Sequence, residues 1–498
     1  MEQERTPPAA KRARPSPPPQ AHVAADAEDR LSALDDGTLH AILARVPLRD
    51  AAATAALSRR WPRVFATLPR LVLHPATFNR RGFPDGGDKD YCEDAGRWMS
   101  ALRRVLDGRT APVGAFETDV KFMGLYDDWF LGVFRELCGS RGGLLELSIK
   151  NTKLTQCFDL PSPVYSCKTL TTLYLYNWRL RVPSRLTGLR AVRSIRLIDV
   201  AASDDDIRRF ISRCSALEHL DIFNLHKARN IAISAPCLEK LEIYSHRPLR
   251  ISVKKAPRLE TVSLTFSYSY PEDSWRPEDT VDSDEDCSIS EVEERFDYEK
   301  MAQREQKHTD EIGNMVTFLG GLGSAKKLEL VPDSSQVLSM HKVSMPKRLT
   351  KKNYLLGLEM LTLALDHNNK VFASLVSCLL NSSPNLKDLR IHDSSYSRNP
   401  VPLPAEYWAE RINAACDLNH LSSVTFFIDK IFEGHPCGGF CRFLLMNAKV
   451  LKKMRIMYYR FHVKPEDATR LEAIRRELHL LPRSSPDVVL ELSGLDHY

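Results

Sequence analysis

The sequence predicts an α/β chain: three short N-terminal helices, then a solenoid of parallel strands with helices and loops on its other side. Two observations carry this. The pattern LxxLxL recurs at intervals of 21 to 26 residues between Leu144 and Leu264, which matches the about 20 to 29 residues of a leucine-rich repeat, each unit adding one strand to a stacked parallel sheet. Ahead of it, Leu39, Ile42, Leu43 and Val46 stand at i, i+3, i+4 and i+7, the spacing of one apolar helix face.

Composition bounds the rest. With 498 residues, 43% of them hydrophobic, the chain can bury a large core without covalent staples. The net charge of +6 comes from 70 basic and 64 acidic residues, too small an excess over this length for a nucleic-acid surface. Eleven cysteines, an odd number scattered singly among apolar residues, read as reduced thiols of the cytosol or nucleus. No apolar run reaches the about 20 residues of a membrane span, and the N-terminus lacks the order of a secretory signal. The expectation is a protein of nucleus and cytoplasm, with no membrane or nucleic-acid partner.

Residues 1–28 are rich in proline, alanine and charge and too poor in large apolar residues to offset the entropy of ordering them. They read as a disordered tail, and its KRARP as solvated charge. From Asp29 the texture changes. The first helix carries Leu39 to Val46 and stops at Pro47, whose ring clashes in a helix interior. A second is expected from near Asp50, whose carboxylate suits the positive end of a helix, to Leu57. A third turn holds Trp61 and is expected to end at Pro62. So small a unit is expected to leave apolar surface over for a partner.

The succession of an acidic-Arg-Leu-Ser start, "LHAIL", Val46-Pro47, "RDAAATAALSRRW" and "LPRLVL" resembles the F-box of plant F-box proteins, over residues 29–73. One position departs from it: Asp35 follows Leu34 where that family usually has proline. The resemblance implies a docking surface for a Skp-type adaptor and, through it, a cullin. Leu34, Leu39, Ile42, Leu43, Val46, Pro47, Leu57 and Trp61 are the residues it assigns to adaptor binding.

A helical linker and first solenoid unit are expected over 74–140, and leucine-rich repeats over 141–268. Strand alternation sends Leu173, Leu175, Leu220, Ile222, Leu241 and Ile243 into the core. Their alternates, Tyr174, Tyr176, Arg196, Asp221, Phe223, Glu242 and Tyr244, then face the concave side and are the candidate target-binding residues. "SDDDIRRFISRC" reads as a helix between two strands, capped by Ser203, with Ile207, Phe210 and Ile211 facing inward. Residues 269–312 are acidic and almost without aliphatic periodicity, a disordered insertion. Irregular repeats resume over 313–400 at "AKKLEL", "LEMLTL" and "LKDLRI", with "KVFASLVSCLL" as a helix presenting Leu375, Cys378 and Leu379 on one face. Over 401–498, "HLSSVTFFIDKIFEG", "CRFLLMNAKVLKKMRI" and "LEAIRRELHLLPRSSPDVVLEL" resemble the FBD region of plant F-box proteins. The resemblance to the F-box/FBD/LRR-repeat family thus covers residues from about Asp29 to Leu492, with the acidic insertion as its main interruption.

No catalytic constellation stands out. There is no HExxH, no GxSxG, and "GGLGSAKK" lacks the Lys-Ser/Thr ending of a phosphate loop, so Lys326 follows a turn into a strand. His435, Cys437 and Cys441 cluster in "GHPCGGFC", but a structural zinc site needs four ligands and no second pair lies nearby. No cofactor, metal or catalytic residue is expected. The resemblance implies the substrate-recognition subunit of an SCF-type ubiquitin ligase, non-catalytic itself, with a protein target still unknown. The alternative is a leucine-rich scaffold without ubiquitin transfer.

Overall fold

The computed structural model describes residues 31, 33–73, 88–120, 127–139, 143–152, 157–246, 249–266, 314–332, 345–393, 402–412, 418–428, 438–460, 463 and 467–495. The expected tail (1–28) and acidic insertion (269–312), together with His435 and Cys437, lie outside the described residues.

Helix α1, Asp36–Leu43, is capped by Asp35, whose carboxylate accepts from Thr38 N at 2.9 Å and from Thr38 Oγ1 at 2.6 Å. The residue that departs from the family's usual proline therefore supplies a hydrogen-bonded cap to the same helix start. Helix α2 spans Leu48–Ala53 and tightens into a 3-10 turn at Thr54–Ala56. It begins at Leu48, ahead of the expected Asp50, because Pro47 at the cap position has no N–H for a helix to lose. Helix α3, Trp61–Ala66, corrects the third element: Pro62 opens this helix instead of ending it, since in the first turn its missing donor is one that would go unpaired anyway.

The chain then enters one sheet of fourteen strands, each hydrogen-bonded to the next in chain order. They are β1 Arg70–Leu73, β2 Ala115–Asp119, β3 Glu146–Lys150, β4 Thr172–Tyr176, β5 Ser194–Ile198, β6 His219–Phe223 and β7 Lys240–Ser245. They continue as β8 Thr261–Phe266, β9 Lys327–Val331, β10 Met360–Ala364, β11 Asp388–Asp393, β12 Ser423–Ile428, β13 Lys453–Tyr459 and β14 Val489–Leu495. Every adjacent pair is parallel, from β1 with β2 to β13 with β14. Parallel strands added one beside the next in chain order are what a repeat array produces. The sheet starts at Arg70, inside the stretch read as F-box and ahead of the expected first repeat, so β1 fastens the helical module to the array. Arg109 secures the joint: its Nη2 donates to Leu68 O at 2.6 Å, and Thr110 N donates to Ala66 O.

Helices α4 Asp88–Asp107, α5 Asp127–Cys138 and α6 Ser162–Ser166 occupy the three connections between β1 and β4. Alternation in the strands themselves works as expected. Leu173, Leu175, Leu220, Ile222, Leu241 and Ile243 are buried, aligned row upon row by the register of β4 to β7. Helix α7, Asp204–Arg213, takes its cap from Ser203 and buries Ile207, Phe210 and Ile211. Several strand ends turn through left-handed backbone at Asn177, Asp199 and Asn224, residue types that tolerate it because their short polar side chains bond locally. Asn151 and Asn177 exchange side-chain donors to each other's carbonyls at 3.1 Å, and Asn224 Nδ2 donates to Asp199 at 3.2 Å. The turns are thus cross-linked along the array.

Farther on, α8 Lys370–Ser382 is buried continuously from Phe372 to Ser382. More than the expected face is covered. The segment from Met345 to Leu349 lies against it: Met345 N donates to Ser374 Oγ, and Leu349 N to Ser382 Oγ. Helices α9 Ala405–Arg411 and α10 Gly438–Asn447 pack on each other, Trp408 stacking on Phe440 with centroids 3.9 Å apart. Helix α11, Ala468–Leu480, precedes the last strand.

Candidate functional site

In the N-terminal module the apolar residues divide. Leu39, Leu43 and Trp61 are buried, Trp61 to 3% exposure. Three expectations are thereby corrected: these side chains form the module's own core, and Trp61 is a closing wedge, not an exposed anchor. The reason is geometric. An i, i+3, i+4, i+7 pattern marks an apolar arc, and when α1 and α3 close on each other one side of that arc is consumed. Polar contacts hold the closure: His40 Nε2 lies 3.1 Å from both Val64 O and Thr67 Oγ1, and Arg60 pairs with Asp36 at 2.5 Å.

The other side stays outward. Ile42 is 38% exposed, Val46 39% and Leu57 63%, with Pro47 exposed and Leu34 half-buried against the core. Of the eight residues expected to bind an adaptor, these five keep surface open to solvent. Removing such aliphatic side chains from water gains about 1.5 to 3 kcal/mol each before the costs of association.

The second surface is the face of the sheet turned away from the core. Register places Tyr174, Arg196, Asp221 and Glu242 in one cross-strand row, and Tyr176, Ile198, Phe223 and Tyr244 in the next. All seven target-binding candidates are therefore brought together on four neighbouring strands. Arg196 sits over the Phe223 ring at 5.3 Å and pairs with Asp221 at 3.5 Å. Phe223 stacks on Tyr244 at 6.1 Å, and Tyr244 meets His246 edge-on at 5.0 Å. Lys240 pairs with Glu242 at 2.6 Å, and Lys150 lies over Tyr174. Burial, with the neighbouring Glu242 charge, raises the Asp221 carboxyl above its ordinary range.

Sequence reasoning missed how far the apolar row continues. Beyond Tyr244 it runs through Thr265 and Val331, and later through Ala364, His392, Phe427 and Met457. His392 and Phe427 stack at 4.1 Å, within 6° of parallel. The strand alternation already carried this signal in "LRIHD" and "VTFFI". A half-buried aromatic line thus lies beside a row that carries both signs of charge, Arg196 and then Asp221 and Glu242.

Cys214 and Cys378 serve as packing in the repeats. Burial pushes the thiols of Cys214 and Cys378 up, to about 12 and about 11, which keeps them protonated as apolar filling. Cys441 of the "GHPCGGFC" cluster is buried in α10, and among the described residues no group of three or more His, Cys, Asp or Glu is arranged to hold a metal ion. No described helix is long and apolar enough to cross a membrane.

A family model described as FBD-associated F-box protein At5g56370, LRR repeats, matches residues 135–282. The F-box/FBD/LRR-repeat protein At1g13570 of Arabidopsis thaliana is 25% identical over 76% of this chain and 79% of its own length. The F-box/FBD/LRR-repeat protein At5g56420 of the same plant is 25% identical over 82% and 86%. The FBD-associated F-box protein At3g52670, also from Arabidopsis thaliana, is 23% identical over 91% and 94%. Over most of its length the chain is thus similar to plant F-box/FBD/LRR-repeat proteins.

Proposed function

We propose that this protein is the substrate-recognition subunit of an SCF-type ubiquitin ligase. The N-terminal module docks on a Skp-type adaptor and, through it, a cullin; the outer face of the sheet holds a protein target, in nucleus and cytoplasm. The observation that carries the reading is a helical module which closes its own core on Trp61 yet leaves Ile42, Val46 and Leu57 outward, fused through β1 to a broad sheet. Such a subunit needs no catalytic residue. Holding target and carrier-bound ubiquitin on one assembly turns a bimolecular transfer into an effectively intramolecular one.

The test is co-purification of the full chain with a Skp-type adaptor and cullin. An Ile42→Asp, Leu57→Asp variant should lose the complex while keeping its thermal unfolding profile, because both positions are exposed. Retention of the complex by a folded variant would count against adaptor docking at this surface. A leucine-rich scaffold without ubiquitin transfer is the second reading, favoured by the size of the sheet face; it is the outcome if the wild-type chain captures no adaptor.

A further inference from the structure

Two thiols stand apart from the cysteines that only fill the core. Cys138 is the last residue of α5, and Cys167 closes the end of α6. Packing of α5 on α6 brings these ends together, and the Cys138 thiol donates a hydrogen bond to the Cys167 sulfur. Both are free cysteines. Neither surface described above uses them.

The pair lies just beneath the surface. Cys138 keeps 9% exposure and Cys167 none, but Gly139, Ser166 and Lys168 beside them in the chain are exposed. Its backbone is fixed. Leu189 N donates to Cys167 O at 2.8 Å, and Gly188 sits so close that a side chain there would collide with the Cys167 backbone. The hydrogen bond from Cys138 holds the Cys167 sulfur below an ordinary thiol, at about 6, helped by Thr169, whose Oγ1 is 3.7 Å away, and opposed by burial. The same bond, together with burial, pushes the Cys138 thiol up.

A low thiol beside a second, hydrogen-bonded one supplies an attacking and a resolving sulfur. A charged sulfur is costly in apolar surroundings, and a disulfide removes that charge together with both S–H groups. We propose that Cys138 and Cys167 form a redox modification site, closed by a reversible disulfide when a peroxide reaches the pair. The Cys167 sulfur attacks a peroxide oxygen, the O–O bond breaks, and the departing hydroxide takes a proton from solvent to leave as water. The Cys138 sulfur then displaces the hydroxide of the Cys167 sulfenic acid, and its own thiol proton completes a second water. The two sulfurs lose two electrons, which the peroxide gains. The bond staples α5 to α6, the connections on either side of β3, and closes a loop of about thirty residues. In a reducing compartment the dithiol is the resting form and such a disulfide is transient.

Peptide mapping of the folded full chain tests this, after treatment with hydrogen peroxide and blocking of the remaining thiols with N-ethylmaleimide. A peptide pair joined through Cys138 and Cys167 is expected, lighter by two hydrogens than the separate peptides, released by dithiothreitol, and formed at lower peroxide than any other cysteine link. Cys138→Ala should lose that pair and leave Cys167 as a sulfenic acid that dimedone labels. Cys167→Ala should lose both the pair and the label at this site. If a variant does not fold, the wild-type map decides alone. Recovery of Cys138 and Cys167 as free thiols while other cysteines oxidise, or their joining only after denaturation, overturns the site. Dimedone labelling of Cys138 but not Cys167 in the folded single variants would also overturn it, since the attacking sulfur would be the wrong one.

Discussion

The helical module and the strand array bury apolar residues by different means. In the array, each strand's inward residues meet those of two neighbours, and the rows around Leu220 and Ile222 are closed to solvent throughout. In the module, three short helices enclose Leu39, Leu43 and Trp61 but run out of partners for Ile42, Val46 and Leu57. The difference is one of surface to volume: a repeat buries its face on the next copy of itself, whereas a unit of about forty residues cannot cover all its apolar area. Apolar surface of the kind that the array buries on itself stays exposed on the module at Ile42, Val46 and Leu57.

The sharpest way to break this comparison is inside the module. Trp61→Ala should cost about 3 to 5 kcal/mol, the range for truncating a buried aromatic side chain, and hydrogen exchange should show the loss concentrated in residues 36 to 66. Leu57→Ala, at a surface position, should change stability by no more than about 0.5 kcal/mol. Equal protection loss in β6 and β7 on removing Trp61 would mean that module and array unfold as one body.

Leu220→Ala should cost about 2 to 5 kcal/mol. Because its neighbours are the adjacent repeats, protection should fall in β5 and β7 as well as β6. Loss confined to β6 would argue against nearest-neighbour coupling along the array.

Smaller effects come from ionisable groups. The Asp221 carboxyl is raised by burial and by the Glu242 charge, so the folded state holds that proton more readily than the unfolded chain does. Its contribution to stability is most favourable when protonated, and declines as pH rises from the ordinary carboxylate range, about 4, through the raised folded value. Asp221→Asn should therefore stabilise the protein at neutral pH, with the gain vanishing in acid. A destabilised variant at neutral pH would show that the Arg196 contact outweighs the burial.

Asp35 titrates the other way and with the least effect. Hydrogen bonds from the Thr38 hydroxyl and backbone N–H lower its carboxyl. Its contribution is present at neutral pH and fades as pH falls through the lowered folded value. Asp35→Ala should loosen the first turn of α1 and remove this acid dependence, whereas Asp35→Asn, still an acceptor, should keep the turn. Amide exchange at Thr38 reads both.

Much of the architecture was legible beforehand because two periods wrote it. Alternation by two identified Leu173, Ile222 and Ile243 as core and Tyr174, Phe223 and Tyr244 as outward; a repeat of 21 to 26 residues stacked the strands that carry them. Those signals are local, and a strand has only two faces to choose between. The helical boundaries were less legible. Pro62 can stop a helix or open one, and only the surrounding backbone decides which.

What the sequence alone determined, then, is the strand array, its inward and outward rows, and the presence of a helical unit before it. Tertiary structure decided which side of that unit's apolar arc is consumed: Trp61 goes inside because α1 and α3 close on it, and no spacing along the chain encodes that closure. It also brought Cys138 and Cys167 into hydrogen-bonding contact, from helices on either side of β3. Periodicity reports how a residue relates to its chain neighbours; a site built from distant segments exists only where the folded path returns to itself.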